Sequence, residues 1–321
     1  SGKTFLALEA ARRELAVGRT GSLMCFNKLL GRRLAAEITD PGLSVGTFHS
    51  QLLALTGLKA PSDASQSFWS SEPPERAVEV LLELGEPPAD FLIVDEIQDL
   101  LTEAYLDVFE LLVEGGLSGG RVLMFGDFER QAIYDDGRGR ELLKACVPHM
   151  PSHRLTMNCR NLPRIGFSVN FFSGLTPGYQ KFRRDDDGAN PVLLKYVRGE
   201  DQSPLLRQAV EALREESFDL SEIVVLSPLG AGSVAATTSD PWLKSVLAQA
   251  DGDTIKKGKI RFSSIQAFKG LEAPAVIVTD LDRAAVPNFE SVLYVGLTRA
   301  TDRLYGVIEE STGLAGMARN Q

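Results

Sequence analysis

The 321-residue chain has few cysteines, no long apolar run and no excess of positive charge. Its three cysteines, Cys25, Cys146 and Cys159, are too few and too scattered for a disulfide framework, which favours a reducing compartment such as the cytoplasm. No apolar run is long enough to cross a bilayer and the first residues lack the pattern of a signal peptide, so we expect no membrane association. The net charge of −9 argues against binding to nucleic acid through bulk charge alone, although a local basic groove is compatible with it.

Hydrophobic residues make up 44% of the chain and charged residues 24%, which is typical of a globular protein long enough for two domains. Residues 91–94 form a short apolar run that predicts a strand buried on both faces. Asp95 and Glu96 follow at its end, where open α/β sheets bind ligands. Two such carboxylates repel each other unless a cation lies between them or one has a chemical role, and Mg²⁺ is the expected cation. The alternative is an ordinary strand end before an acidic helix start.

The chain opens with Ser1-Gly2-Lys3-Thr4, which matches the second half of a phosphate-binding P-loop. In such a loop the backbone N–H groups surround phosphates, the lysine reaches the β- and γ-phosphates, and the threonine hydroxyl holds Mg²⁺. Residues 4–17 then predict a helix, whose apolar stripe comprises Leu6, Ala7, Ala10, Ala11 and Leu15. Because the motif lacks its first glycine and the preceding strand, we expect a chain cut inside its own P-loop, with weak nucleotide affinity.

Three further strands are predicted over 22–26, 43–50 and 121–125. His49 is most simply a hydrogen-bonded side chain, but it lies near the end of the second of these strands. Gln131 follows the third, where an amide can contact a γ-phosphate or the attacking water; a surface glutamine is the simpler interpretation. Residues 51–90 are punctuated by proline and serine around short helices such as 75–84, which predicts a small insertion between strands.

Six motifs then occur in an order that is characteristic of one family. They lie at 1–4, 95–99, 126–134, 155–160, 264–272 and 293–300. In these motifs the chain resembles superfamily 1 DNA helicases of the UvrD/Rep type, over nearly its whole length. The resemblance implies an α/β fold with two RecA-like P-loop domains, parallel sheets flanked by helices, and an ATP cleft between the domains. The first domain would cover 1–154 with the small insertion at 51–90, and the second 155–321 with a reduced insertion at about 175–260.

The resemblance also implies roles for the motif residues, with ATP and Mg²⁺ as cofactors. The nucleotide-binding residues would be Ser1, Gly2, Lys3, Thr4, Gly270 and Glu272. Thr4 and Asp95 would hold Mg²⁺, and Glu96 would activate the attacking water. These assignments suit phosphoryl transfer, which depends on positioning and charge neutralisation more than on covalent chemistry.

Three more residues complete the catalytic set that the resemblance implies. Gln131 would sense the γ-phosphate, while Arg160 and Arg299 would act as arginine fingers from the second domain. Such a finger increases the rate by about 10³–10⁵. Because the fingers and the P-loop would lie on different domains, hydrolysis would be coupled to domain closure and to stepping along a strand.

The resemblance assigns the path of single-stranded DNA to the first domain. The residues that would line it are Phe26, Asn27, Thr47, His49 and Tyr134. Two departures affect the expected contacts: Asp136 replaces an aromatic residue on which a base usually stacks, and Cys159 replaces a tyrosine of the fourth motif. One stacked base is worth about 1–3 kcal/mol, so the first departure matters for DNA affinity. The reduced insertion supports translocation better than processive unwinding.

The leading hypothesis is therefore an ATP-dependent translocase or helicase on single-stranded DNA. The family implies 3′–5′ movement and work in DNA repair, and the compact motif spacing resembles helicase modules that follow nuclease-like domains. A fused or associated N-terminal nuclease-like domain is thus a further expectation. The alternative is a nucleotide-dependent switch or binding module without motor activity. Asp136 and the acidic charge balance favour the switch, whereas a base, a sensor and two arginine fingers favour an enzyme.

Overall fold

The computed structural model describes residues 2–128, 138–174, 178–250 and 257–313. The chain divides into two compact units at the step from Arg154 to Leu155. Both units are α/β structures with parallel sheets flanked by helices, which confirms the predicted fold class. Among the described residues, no helix has the length and apolar character needed to cross a membrane.

The first unit is built on a parallel sheet. Its described strands are β1 (Gly21–Cys25), β2 (Leu43–Thr47), β3 (Phe91–Asp95) and β4 (Arg121–Phe125). They are ordered β2-β1-β3-β4, so that their carboxyl ends lie on one edge of the sheet. Every residue of β1 and β3 is buried, as expected for the two inner strands.

Helices cover the sheet of the first unit and complete its core. They are α1 (Lys3–Ala16), α2 (Lys28–Glu37), α3 (Phe48–Thr56), α4 (Gln66–Ser70), α5 (Glu72–Leu84), α6 (Glu103–Leu112), α7 (Gly116–Gly119) and α8 (Arg138–Cys146). Segment 51–90, predicted as a small insertion, contributes to this core: Leu52 and Leu81 are buried in one cluster with Leu92 of β3 and Phe109 of α6.

Two local predictions are corrected in this unit. The predicted stripe of α1 included Leu6, but that side chain is 40% exposed, and the buried residues are Ala7, Leu8 and Ala11. Leu6 lies about 100° around the helix axis from Ala7, which places it off the face that packs against β3. The strand predicted over 43–50 ends at Thr47, because the Thr47 hydroxyl accepts a hydrogen bond from the Ser50 amide and begins α3 there.

The second unit contains a larger parallel sheet. A separate short parallel pair comes first in the chain and consists of β5 (Met157–Asn158) and β6 (Lys181–Phe182). The described strands of the larger sheet are β7 (Val192–Tyr196), β8 (Ile223–Ser227), β9 (Leu247–Gln249), β10 (Ile260–Ser264), β11 (Ala273–Leu281) and β12 (Ala300–Glu309). Their order in the sheet is β7-β12-β11-β8-β10-β9. The inner strands β8 and β11 are almost wholly buried.

The helices of the second unit are α9 (Pro163–Ser173), α10 (Ser203–Glu215), α11 (Val234–Thr237), α12 (Pro241–Val246) and α13 (Phe289–Leu297). Leu206 and Val210 of α10 pack with Ile223, Ile277 and Val307 of the sheet in one core. The segment predicted as a reduced insertion at about 175–260 therefore supplies β7, α10 and β8, which are integral parts of this unit.

Candidate functional site

Thr4 and Asp95 lie together at the carboxyl edge of the first sheet. Asp95 is the last residue of β3 and is fully buried, and Thr4 lies in the first turn of α1. The Thr4 hydroxyl donates a hydrogen bond to Asp95 Oδ2 at 2.6 Å. The start of α1 is thereby fixed beside the end of β3, so the structure brings the two predicted Mg²⁺ ligands into direct contact.

The environment of Asp95 fits a divalent cation. Burial raises the pKa of this carboxyl above its usual range, and the neighbouring Glu96 raises it further, while Thr4 and Lys3 act in the opposite direction. A hydroxyl and a carboxylate oxygen are hard ligands of the kind that Mg²⁺ accepts, and it usually completes its shell with water and substrate phosphates. A cation at this position would offset the cost of a buried negative charge.

Glu96 has an unusual backbone conformation. Its φ of 55° lies in the left-handed region, where residues with a side chain are uncommon, and the side chain is buried. Such strain persists only where the surroundings hold it, and it concentrates at functional sites. The Gln98 amide donates to Glu96 Oε2 at 2.6 Å, which fixes the carboxylate that would serve as the base.

Gln98 is a residue to which sequence reasoning assigned no role. It is 3% exposed, and its Oε1 accepts a hydrogen bond from the Asp127 amide at 3.0 Å. One side chain therefore connects the carboxylate after β3 with the backbone after β4. The sequence shows a glutamine two positions after the acidic pair. Its contact with the residue after β4 cannot be predicted from sequence, because it requires knowing that β3 and β4 are neighbours in the sheet.

The remaining nucleotide-binding candidates of the first unit are only partly described. Gly2 precedes α1 with a φ of 82°, in the left-handed region that glycine adopts without strain. Lys3 Nζ lies 3.8 Å from Asp127 Oδ2, so its ammonium group is held near the end of β4. Ser1, Gln131 and Tyr134 lie outside the described residues.

Arg160 and Glu272 form an ion pair in the second unit. Arg160 Nε donates to Glu272 Oε2 at 2.6 Å, and Glu272 lies directly before β11. Asn158 accepts hydrogen bonds from the amides of Arg160 and Asn161, which shapes the loop that presents the arginine. Two residues that the resemblance assigns to the nucleotide site are therefore in direct contact.

Arg299 lies between α13 and β12 and is completely buried. Its guanidinium donates to the carbonyl oxygens of Val295 and Leu271 and to the Thr298 hydroxyl, all within the second unit. Gly270, which precedes Leu271, has a φ of 84° and so allows the turn that brings this carbonyl to the arginine. Arg299, Gly270 and Glu272 are thus gathered at the amino ends of β11 and β12.

Asn161 connects two motif loops of the second unit. Its Nδ2 donates to the carbonyl oxygens of Thr298 at 3.1 Å and Ala300 at 2.6 Å, on either side of Arg299. Its Oδ1 accepts from the Asn158 amide side chain at 2.9 Å. The loops that carry Arg160 and Arg299 are therefore held together by one buried side chain, which sequence reasoning did not identify.

Phe26 and His49 belong to an aromatic cluster at the carboxyl ends of β1 and β2. Their ring centroids are 5.5 Å apart in an edge-on arrangement. His49 Nε2 lies 3.1 Å from the Tyr105 hydroxyl, and that hydroxyl donates to the Trp69 carbonyl at 3.0 Å. Because the hydroxyl proton goes to the carbonyl, His49 Nε2 must carry the proton it shares with Tyr105. Burial, with a smaller contribution from Lys28, lowers the pKa of His49 to about 4, so the ring is neutral at pH 7.

Asn27 and Thr47, the other described candidates for DNA contact, cap helices. Asn27 Oδ1 accepts hydrogen bonds from the amides of Leu29 and Leu30 at the start of α2. Thr47 does the same for Ser50 at the start of α3. Both side chains have a structural use that does not require a ligand.

Residues 259–307 match the family model of the UvrD-like helicase C-terminal domain. The matched segment runs from β10 to β12 and includes Gly270, Glu272 and Arg299. No curated protein matches the sequence.

The solved structures that match include a domain of a possible DNA helicase from a bacterium and a viral helicase. The C-terminal domain of a possible DNA helicase from Lactobacillus plantarum is 17% identical, with a TM-score of 0.36, over 47% of this chain and 88% of that one. Arterivirus nonstructural protein 10 (helicase) is 15% identical, with a TM-score of 0.46, over 98% of this chain and 59% of that one. The structure of the same viral protein in complex with DNA is 14% identical, with a TM-score of 0.45, over 99% of this chain and 61% of that one. Because these TM-scores are below 0.5, they carry no argument about function.

Proposed function

We propose that this chain, a superfamily 1 helicase-type protein, is an ATP-dependent translocase or helicase on single-stranded DNA. The observation that carries the proposal is the contact between Thr4 and Asp95, beside a Glu96 carboxylate held by Gln98. A metal-binding hydroxyl, a metal-binding carboxylate and a fixed base are the groups that hydrolysis of a nucleoside triphosphate requires. The matched C-terminal segment supports a helicase-related function of this chain on a nucleic acid.

In this proposal, each described nucleotide-site residue of the first unit has one role in the reaction. The backbone N–H groups at the start of α1 and the Lys3 ammonium bind phosphates. Thr4 and Asp95 would hold Mg²⁺, and the bound ion would supply charge neutralisation at the phosphate oxygens. Glu96 takes the proton of the attacking water, in an orientation that its hydrogen bond to Gln98 maintains.

The second unit supplies positive charge to the same reaction. Arg160 and Arg299 stabilise the transferred phosphoryl group, and Gly270 and Glu272 complete the nucleotide site. For Arg299 this requires that its guanidinium exchange hydrogen bonds to carbonyl oxygens for bonds to phosphate. The finer parts of the proposal that the motif resemblance supports are hydrolysis between two RecA-like domains, 3′–5′ movement, a role in DNA repair and a fused or associated nuclease-like domain. A cytoplasmic location is supported by the few, scattered cysteines.

The test is ATP hydrolysis by the protein with and without single-stranded DNA. We expect stimulation by DNA, and we expect Glu96→Gln to lower hydrolysis by about 10²–10⁴ because it removes the proton acceptor while keeping the side-chain shape. Nucleotide binding by the variant, measured by equilibrium titration, serves as the control for an intact site.

Hydrolysis that is indifferent to DNA would contradict a motor and favour the nucleotide-dependent switch. Hydrolysis that survives in Glu96→Gln would show that another group is the base. DNA-stimulated hydrolysis that the variant abolishes would support the proposal, and directional assays on tailed duplexes would then test 3′–5′ movement.

A further inference from the structure

Helix α4 places two aromatic side chains beside the residues that are proposed to line the DNA path. Trp69 lies edge-on to His49, with ring centroids 4.9 Å apart, and Phe68 lies 5.1 Å from Trp69. Phe26 also contacts His49, so the four rings form a continuous series of contacts that starts next to the carboxyl ends of β1 and β2. This row, formed by Phe26, His49, Trp69 and Phe68, is called the aromatic row below.

The aromatic row is only partly covered, in contrast to neighbouring rings of the core. Phe48, which contacts His49, and Phe109, which contacts Phe48, are fully buried, whereas Phe26, Phe68 and Trp69 keep part of their surface exposed. Aromatic rings bury a large apolar area when they are covered, so neighbouring rings that are left partly exposed can stabilise an added planar group.

The position of Trp69 is fixed by hydrogen bonds as well as by packing. The Tyr105 hydroxyl donates to the Trp69 carbonyl and is itself bonded to His49, so α4 is attached to α6 and to the start of α3. A ring held in this way loses little conformational freedom when a ligand binds, which favours affinity.

Positive charge lies next to the aromatic row. Lys28 is exposed at the start of α2, and it is close enough to His49 to contribute to the lowering of its pKa. Arg32 follows one turn later, also exposed, on the same face of the helix. Partly exposed rings beside a short basic stretch are the combination by which proteins bind single-stranded nucleic acid, with bases on the rings and phosphates on the cations.

We propose that Trp69, supported by Phe68, stacks on a base of single-stranded DNA and so extends the strand path beyond Phe26. This inference rests on the proposed function, because it assigns a further contact to the same DNA. It also supplies a stacking contact to a chain in which Asp136 occupies the position of an expected aromatic residue.

The chain offers a direct optical test because it has two tryptophans, Trp69 and Trp242. Trp242 lies in the second unit, where the Arg207 guanidinium is 5.3 Å from its ring centroid. In the full chain carrying Trp242→Phe, all indole fluorescence comes from Trp69. We expect titration with a thymidine oligonucleotide to quench this fluorescence saturably, and we expect no such change from Trp242 in Trp69→Phe.

Affinity for a fluorescently labelled thymidine oligonucleotide, measured by anisotropy, gives an independent readout. Loss of one stacked base predicts that Trp69→Ala weakens binding by about 5- to 150-fold. Trp69→Phe keeps an aromatic ring and should lose less, and Trp242→Phe is the matched control with unchanged affinity. Circular dichroism of each variant verifies that the fold is intact.

The outcomes separate this inference from the proposed function. Oligonucleotide binding by the unaltered chain, with constant Trp69 fluorescence and unchanged affinity in Trp69→Ala, would overturn the role of Trp69 and leave the proposed function standing. A chain that binds no oligonucleotide would overturn both. A Trp69 signal that depends on protein concentration, and not on oligonucleotide, would overturn the inference in favour of contact with a second copy of the chain.

Discussion

The role of His49 in the structure differs from the role that the sequence predicted for it. As a histidine near a strand end it was a candidate for DNA contact. In the structure it is a neutral ring that donates to Tyr105 and supports Trp69. A neutral imidazole attracts phosphate weakly, so in the proposed strand path His49 would contribute by positioning the aromatic rings around it.

The lowered pKa of His49 predicts an acid-sensitive first unit. The unfolded chain binds a proton at His49 near pH 6.5, whereas the folded chain does so at about pH 4. Between these values the unfolded state binds more protons, so this group makes the free energy of unfolding fall as pH decreases, by about 3 kcal/mol over the window. We expect His49→Gln, which keeps a donor for Tyr105 but does not titrate, to lack this component.

The measurement is urea unfolding of both proteins at several pH values between about 7 and 4. The comparison with His49→Gln is needed because the raised pKa of Asp95 acts in the opposite direction, stabilising the fold as pH falls. Parallel pH curves for the two proteins would contradict the assignment.

At the scale of elements, the loops around Asn161 act as one connected structure. Asn161→Ala removes hydrogen bonds to the carbonyl oxygens of Thr298 and Ala300 and leaves these buried acceptors without that partner. We expect a loss of about 1–3 kcal/mol in the free energy of unfolding, together with lower ATPase activity, since the loops carry Arg160 and Arg299.

Asn190→Ala is the matched control for that prediction. Asn190 is exposed, and its side chain accepts a hydrogen bond from Arg164. A surface change of this kind should alter the free energy of unfolding by less than about 0.5 kcal/mol. Equal effects of the two substitutions in urea unfolding would show that Asn161 does not hold the loops together.

The elements themselves were largely predictable from sequence, and the exceptions have physical causes. Continuous apolar runs predicted β1 and β3 because strands buried on both faces need no polar positions. The end of β2 was placed too late because capping by Thr47 stopped the strand. The contribution of segment 51–90 to the core was missed because its proline-rich pattern gave no indication of burial at Leu52 and Leu81.

Residues of the candidate site could be predicted where they belong to a recognisable motif. They could not be predicted where their role depends on partners that only the order of the strands brings near. Thr4 and Asp95 are 91 positions apart, yet their motifs predicted both as ligands of one ion, and the structure places them in contact. Gln98 and Asn161 were missed because their partners, Asp127 and Ala300, become neighbours only when the strands assemble.

For the whole molecule, the Thr4–Asp95 site predicts that stability depends on magnesium and nucleotide together. A ligand that binds only the folded state at a hundred times its Kd stabilises that state by about 2.7 kcal/mol. We expect Mg²⁺-ADP at such a concentration to raise the melting temperature, and excess EDTA to reverse most of the increase. Thermal melts of the unaltered chain and of Asp95→Asn provide the check, and the same increase with EDTA or in the variant would contradict the site.

The position of β12 within the second sheet has a consequence for biosynthesis. This strand ends at Glu309 and lies inside the sheet, paired with β7 on one side and β11 on the other. The first sheet has all of its described strands once Phe125 has been added to the growing chain. The second sheet cannot be completed until translation reaches Glu309. The edge of β7 that pairs with β12 therefore stays unpaired while more than a hundred further residues are synthesised.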